Sequence, residues 1–142
     1  MDMNNGKRIL ITGASGSLGR QLIYELTRCG CRPIAHVRES SDTSYIDSLG
    51  LEKRVADLRD DAQIGALVRG VDGVIHTDAL GNFRQDRLTQ FPGINTIAAV
   101  NLFQAAQEAG VQRFVHVSSV AATAAMPRRN GGEPRPGGAP EK

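Results

Sequence analysis

The segment T-G-A-S-G-S-L-G, residues 12–19, constrains this 142-residue chain more than any other stretch. It directly follows a short apolar run, Arg8 to Thr12 (R-I-L-I-T), and directly precedes a run with Leu22, Ile23 and Leu26 at helical spacing. The order is strand, glycine turn, helix. Gly13 lets the chain turn sharply off the strand, Gly16 leaves room for a bulky anion at the backbone N–H groups, and Gly19 lets the helix pack closely. The helix start then offers oriented donors and partial positive charge to that anion. Ser15 and Ser17 add hydroxyl donors. The spacing suits a pyrophosphate. No G-K-[ST] follows, so the loop is not of the Walker type. The plain alternative is a tight turn that is merely rich in glycine, and the strand–turn–helix setting speaks against it.

The rest of the chain repeats the alternation. Leu18 to Cys29 reads as a helix closed by Gly30, and Pro33 to Val37 as a second strand. Asp42 to Leu49 reads as a short helix capped by Ser41 or Asp42. Glu52 to Ala56 is a weak third strand. Asp60 to Arg69 is a helix with an acidic start, closed by Gly70. Val71 to Thr77 is a fourth strand. Gly93 to Ala109 is the longest helix, and Arg113 to Ser118 a fifth strand. Strands alternating with helices predict an α/β fold with a doubly wound parallel sheet, the Rossmann fold, of about five strands in the order 3-2-1-4-5. From Met126 onward four prolines and four glycines fall within seventeen residues. The expected division is therefore a folded domain over 1–125 and a loop or disordered tail over 126–142.

Composition removes several classes of function. The net charge is +2, and the three lysines (Lys7, Lys53, Lys142) form no patch. Tryptophan is absent and aromatics make up 4%. Nucleic-acid binding has no footing in such a chain. Apolar runs fall short of the ~20 residues a membrane span needs. The N-terminus runs straight into a strand, without the apolar stretch of a leader. Cys29 and Cys31 flank Gly30, too close for an ordinary disulfide and without the second half of a zinc site. They read as small fillers at a helix–strand junction. No metal site is expected, and a cytoplasmic location is.

Further residues fall on the carboxyl edge of the sheet, where open α/β sheets bind ligands. The second strand ends at His36-Val37-Arg38. An acidic residue near this point would accept from a ribose 2′-OH, whereas Arg38 favours a 2′-phosphate and can stack on adenine. That points to NADP, with NAD possible; a solvated loop arginine is the plain reading, and Asp42 stands nearby. Asp57 and Leu58 follow the third strand, where a carboxylate can accept from the adenine amino group or serve simply as a turn or cap. His76-Thr77-Asp78-Ala79 follows the fourth strand. His76 and His116 fall inside apolar strands and read as core or interface histidines. Ser118 and Ser119 end the fifth strand, where a hydroxyl can polarise a substrate oxygen.

Together, I-T-G-A-S-G-S-L-G (11–19), H-V-R-E-S-S-D (36–42), A-D-L-R-D (56–60), V-D-G-V-I-H-T-D-A (71–79) and the run from Ile94 to Ser119 resemble the extended short-chain dehydrogenase/reductase family, also called the NAD-dependent epimerase/dehydratase family. The resemblance covers most of residues 7–122. It implies that Gly13, Ser15, Gly16, Ser17, Leu18 and Gly19 hold the pyrophosphate and that Arg38 meets the 2′-phosphate. It implies adenine contacts from Asp57 and Leu58, and a nicotinamide ribose lined by Thr77 and Ala79. Ser119 aligns with the family's catalytic serine and Asn95 with a structural asparagine. Asp78 departs from the family, which has a small apolar residue there.

A larger departure concerns catalysis. The resemblance implies a tyrosine in Y-x-x-x-K as general acid/base, but Tyr24 and Tyr45 are followed four residues later by Arg28 and Leu49. The Pro/Gly-rich tail, with Glu133, is similar to the loop that precedes that tyrosine. The expectation is an NAD(P)(H)-binding portion of an oxidoreductase or sugar epimerase, truncated at the C-terminus and without turnover of its own. A small-molecule substrate would then need the missing part. The alternative is a non-catalytic dinucleotide-sensing or scaffold module. A methyltransferase is disfavoured, because Arg38 stands where those enzymes carry an acid. The uncovered edge near Phe114 to Val117 is expected to invite self-association.

Overall fold

A computed structural model of the chain describes residues 5–78 and 96–118. Five strands, β1 (Arg8–Thr12), β2 (Arg32–Val37), β3 (Glu52–Val55), β4 (Gly73–His76) and β5 (Arg113–His116), alternate with four helices, α1 (Ser17–Arg28), α2 (Ser44–Ser48), α3 (Asp61–Leu67) and α4 (Ala98–Glu108). The strands form one all-parallel sheet in the order β3-β2-β1-β4-β5. The doubly wound expectation is met.

Alternation along each strand sends successive residues to opposite faces. Leu10, Ile34 and Val74 pack under α3 and α4 against Ile64, Leu67, Leu102 and Ala106. Ile11, Ala35 and Val37 pack under α1 and α2 against Ile23 and Ile46. Both faces of β1 are buried, which is why its sequence is a continuous apolar run rather than an alternating one.

The helix ends follow from capping chemistry. At the end of α1 the Gly30 N–H donates to the Thr27 carbonyl (3.1 Å) and the Cys31 N–H to the Leu26 carbonyl (2.9 Å), a Schellman motif with Gly30 at φ 78°. The end of α4 repeats it: Gly110 N–H to Gln107 (3.1 Å) and Val111 N–H to Ala106 (2.9 Å). Asp60 caps α3 by accepting from the Ala62 N–H at 3.0 Å. The other end of α3 is held from β3. The Arg54 guanidinium donates to the carbonyls of Leu67 (2.7 Å) and Arg69 (2.9 Å) while its other nitrogens bind Glu52. Arg54→Met keeps much of the apolar stem but leaves those carbonyls without this donor. We expect a loss of about 1–2 kcal/mol, read as a lower urea midpoint at an unchanged slope.

Several expectations shift. The second helix starts at Ser44 rather than Asp42, because the Asp42 carboxylate turns onto the Ser44 amide (3.0 Å) and hydroxyl (2.6 Å) ahead of the helix. The fourth strand is shorter than Val71–Thr77, since the Thr77 N–H leaves the ladder for the Thr12 hydroxyl. His116, read as a core or interface histidine, is exposed, on the strand that ends the sheet among the described residues. Val115 and Val117 are exposed with it. Cys29 is exposed and does not fill the junction, whereas Cys31 is half-buried. Among the described residues no helix is long and apolar enough to cross a membrane, and no group of three or more His, Cys, Asp or Glu is placed to hold a metal ion.

Candidate dinucleotide site

Parallel pairing brings the ends of β1, β2, β3 and β4 to one edge, and every described candidate residue lies along it. The β1–α1 loop is tightly built. Gly13 has φ 69°, and a Cβ there would lie 2.9 Å from the Thr77 hydroxyl and 3.1 Å from the Asp78 nitrogen. The Gly16 N–H donates to the Gly13 carbonyl at 3.0 Å, and the Ala14 N–H reaches the His36 carbonyl at 3.4 Å. Gly19 is buried. A Cβ on it would overlap the Gly13 carbonyl oxygen and lie 2.7 Å from the Ala14 Cα, so the close approach is between helix and loop rather than helix and sheet.

The start of α1 is open. Its N-cap, Gly16, supplies no side-chain hydrogen bond, and the first turn carries no acidic residue. The first-turn N–H groups, those of Ser17, Leu18 and Gly19 among them, have no intrahelical acceptor, and Ser17 and Leu18 are exposed. An uncapped, acid-free helix start beside a turn with no room for a Cβ at Gly13 fits a pyrophosphate. Ser15 is half-buried, and its carbonyl accepts from Arg20 Nε at 3.2 Å.

Thr12 joins this loop to the end of β4. Its hydroxyl oxygen accepts from the Thr77 N–H (3.1 Å) and the Asp78 N–H (3.3 Å), while the Thr77 hydroxyl donates to the Thr12 carbonyl (2.6 Å). With two N–H groups already on that oxygen, its own proton goes to His76 Nδ1 at 2.6 Å. This fixes His76 as the neutral tautomer with its proton on Nε2. Among the described residues Nε2 has no hydrogen-bond partner, and the ring stacks on His116 at 5.2 Å. Burial, reinforced by the neighbouring His116, lowers the His76 pKa to about 4. His36 lies on the same face, bonded through Nε2 to the Ala56 carbonyl at 3.0 Å, and burial lowers its pKa too.

The rest of this edge is built by the ends of β2 and β3. The Arg38 amide donates to the Ser41 hydroxyl (3.1 Å) and its carbonyl accepts from the Ser41 N–H (3.0 Å), which pins the turn. The exposed Arg38 guanidinium donates to no described residue. Asp57 is occupied: Arg59 binds its carboxylate through the amide (2.9 Å), Nε (2.9 Å) and Nη2 (2.6 Å). The Arg59 hydrogen bonds hold the Asp57 pKa down, to about 2. Leu58 is buried in the apolar core, which leaves its backbone rather than its side chain at the edge. Ala79, Asn95 and Ser119 lie outside the described residues. The sequence reading passed over Thr12, Arg20 and Arg59. Only Thr12 carried a signal, as a hydroxyl at the end of a strand buried on both faces.

Residues 13–135, beginning at the turn glycine of this loop, match the NAD(P)H-binding family. This chain belongs to that family. Sterol demethylase protein B of Methylococcus capsulatus is 35% identical to this NAD(P)H-binding chain over 119 residues, 84% of this chain and 36% of that protein. The crystal structure of a short-chain dehydrogenase/reductase superfamily protein from Agrobacterium tumefaciens with bound NAD superposes at TM-score 0.67 and 28% identity, covering 79% of this chain and 32% of that one. UDP-glucose-4-epimerase from Stenotrophomonas maltophila, also with bound NAD, gives TM-score 0.73 and 29% identity over 83% of this chain and 38% of that one. The NAD(P)H-binding chain spans a little over a third of the length of the curated relatives it matches. It is the NAD(P)-binding Rossmann portion common to short-chain dehydrogenase/reductase and epimerase/dehydratase proteins.

Proposed function

We propose that this domain prefers NADP(H) over NAD(H) and serves as the cofactor-holding part of a short-chain reductase or sugar-epimerase-like oxidoreductase. The observation that carries the preference is the Arg38 guanidinium, exposed at the end of β2 and donating to no described residue, while the neighbouring Asp57 is committed to Arg59. A planar cation at that point matches a 2′-phosphate better than a neutral 2′-OH.

In this reading Gly13, Ser15, Gly16, Ser17, Leu18 and Gly19 hold the pyrophosphate through backbone N–H groups and the two serine hydroxyls. The Asp57–Leu58 backbone borders adenine. Thr77, with its hydroxyl already on the Thr12 carbonyl, and Ala79 border the nicotinamide ribose, and Ser119 is the residue for the substrate oxygen. The bound cofactor supplies hydride at the nicotinamide ring; the chain's own task is to orient it and shield it from water. The reading assigns these residues the binding and orientation of the cofactor.

Calorimetric titration of the chain with NADPH and NADH tests the preference. We expect NADPH to bind at least tenfold tighter, and Arg38→Ala to remove most of that difference, the effect of about one charge-assisted contact. Equal affinities in the unmodified chain would overturn the NADP assignment while leaving dinucleotide binding intact.

A further inference from the structure

The NADP reading leaves one difficulty. The loop after β2 carries two carboxylates, Glu39 and Asp42, beside Arg38, so a dianionic phosphate needs more positive charge than Arg38 alone provides. The structure supplies a second cation from another element. Arg20 lies in the first turns of α1, and side chains there lean back toward the helix start. Its Nε donates to the Ser15 carbonyl at 3.2 Å, which holds the guanidinium over the glycine loop. The guanidinium carbon lies 5.3 Å from the centroid of the Tyr45 ring, and α2, which carries Tyr45, is anchored by the fully buried Ile46. Asp42 is near enough to sense the Arg20 charge, but its carboxylate is already bound by the Ser44 hydroxyl and amide. Arg20 is exposed, and its two terminal amino groups donate to no described residue. The Ala14-to-His36 hydrogen bond places the loop that Arg20 covers directly against the end of β2, two residues before Arg38.

We propose that Arg20, held in place by Tyr45 and the Ser15 carbonyl, is a second specificity-determining residue that grips the adenosine 2′-phosphate from the α1 side while Arg38 grips it from the β2 side. This inference rests on the NADP reading and adds a residue to it. One nitrogen fixes the side chain and four N–H donors remain for phosphate oxygens. The stacked aromatic ring reduces the ordering cost on binding, since the side chain is already confined.

The test uses probes that differ only at the 2′ position: adenosine 2′,5′-bisphosphate and adenosine 5′-monophosphate, titrated calorimetrically into the full chain. Arg20→Met should weaken the bisphosphate about tenfold and the monophosphate less than about twofold. Arg20→Lys should recover part of the loss. Tyr45→Leu should weaken the bisphosphate in the same selective way, by less. Equal weakening of both probes by Arg20→Met would overturn the proposal and make Arg20 a support of the pyrophosphate loop. Selectivity lost in Arg38→Ala but kept in Arg20→Met would leave the NADP reading standing and sink only the role of Arg20. An unmodified chain that binds both probes equally would sink both.

Discussion

Gly19→Ala is expected to destabilise the domain by about 3 kcal/mol and to abolish dinucleotide binding, the reverse of what helix propensity forecasts. Alanine is favoured over glycine inside a helix by about 1 kcal/mol. At Gly19 that gain is overwhelmed. The added methyl would overlap the Gly13 carbonyl oxygen and stand 2.7 Å from the Ala14 Cα and 2.8 Å from the Ala14 carbonyl oxygen. All three are backbone atoms, so no rotamer change relieves the clash. Either α1 tilts away or the glycine loop shifts, and the N–H groups proposed to hold the pyrophosphate lose their aim. Gly65, exposed in α3, is the matched control: a Cβ there meets nothing within 4 Å. Gly65→Ala should therefore stabilise by about 0.5–1 kcal/mol and leave binding untouched. Urea denaturation and NADPH titration of both variants decide the matter. A Gly19→Ala protein as stable as Gly65→Ala would show that the close contact is dispensable.

A second large effect is expected in acid. The His76 pKa is lowered by burial to about 4, from 6.5 in an unfolded chain. The unfolded state thus takes up this proton first. Stability is complete above pH 6.5, falls as the pH drops toward 4, and levels off once the folded protein also binds the proton. The loss from His76 is at most about 3 kcal/mol. His36, shifted in the same direction, steepens the fall. The lowered carboxylates act further down. Asp57, held to about 2, and Asp42, Asp47 and Asp72, also lowered by their hydrogen-bond partners, lose most of their contribution only as the pH falls below their ordinary value of 3.8. Denaturation midpoints at pH 7 and pH 4.5, for the unmodified chain and His76→Gln, provide the check. The variant should show a clearly shallower pH dependence. An identical slope in both would mean that His76 is protonated in the fold without penalty.

The fold was legible because its signals are local and repeated. Arg8–Thr12 was readable to the residue, since a run buried on both faces is bounded by a basic residue on one side and a turn glycine on the other. Gly30 and Gly110 end helices through the same Schellman bonds, and Asp60 marks a helix start by its own side chain. What failed to show depends on partners remote in sequence. His116 sits in the apolar run F-V-H-V as a core or interface residue, and its exposure follows from the place of β5 at the end of the sheet among the described residues. Asp57 is the exception, since the partner that takes its carboxylate, Arg59, stands only two residues on. Leu58 matches the adenine contact by alignment, but its side chain completes the core. The Arg20–Tyr45 contact joins residues 25 apart, which no local pattern announces.

Thr12 also has a consequence for the order of assembly. Its hydroxyl gathers amides 65 and 66 positions further along the chain, and the tight turn at Gly13 is walled by those same residues. The glycine loop therefore cannot take its final shape when β1 and α1 first meet, however early that happens. It must wait for a long loop closure that brings β4 to the far side of β1, past the two intervening strands β2 and β3, and such closures are the slow steps of parallel-sheet folding. A ligand of this loop recognises a chain whose central strands are already paired. It accelerates no early step; it holds the finished sheet closed and acts on the rate of unfolding.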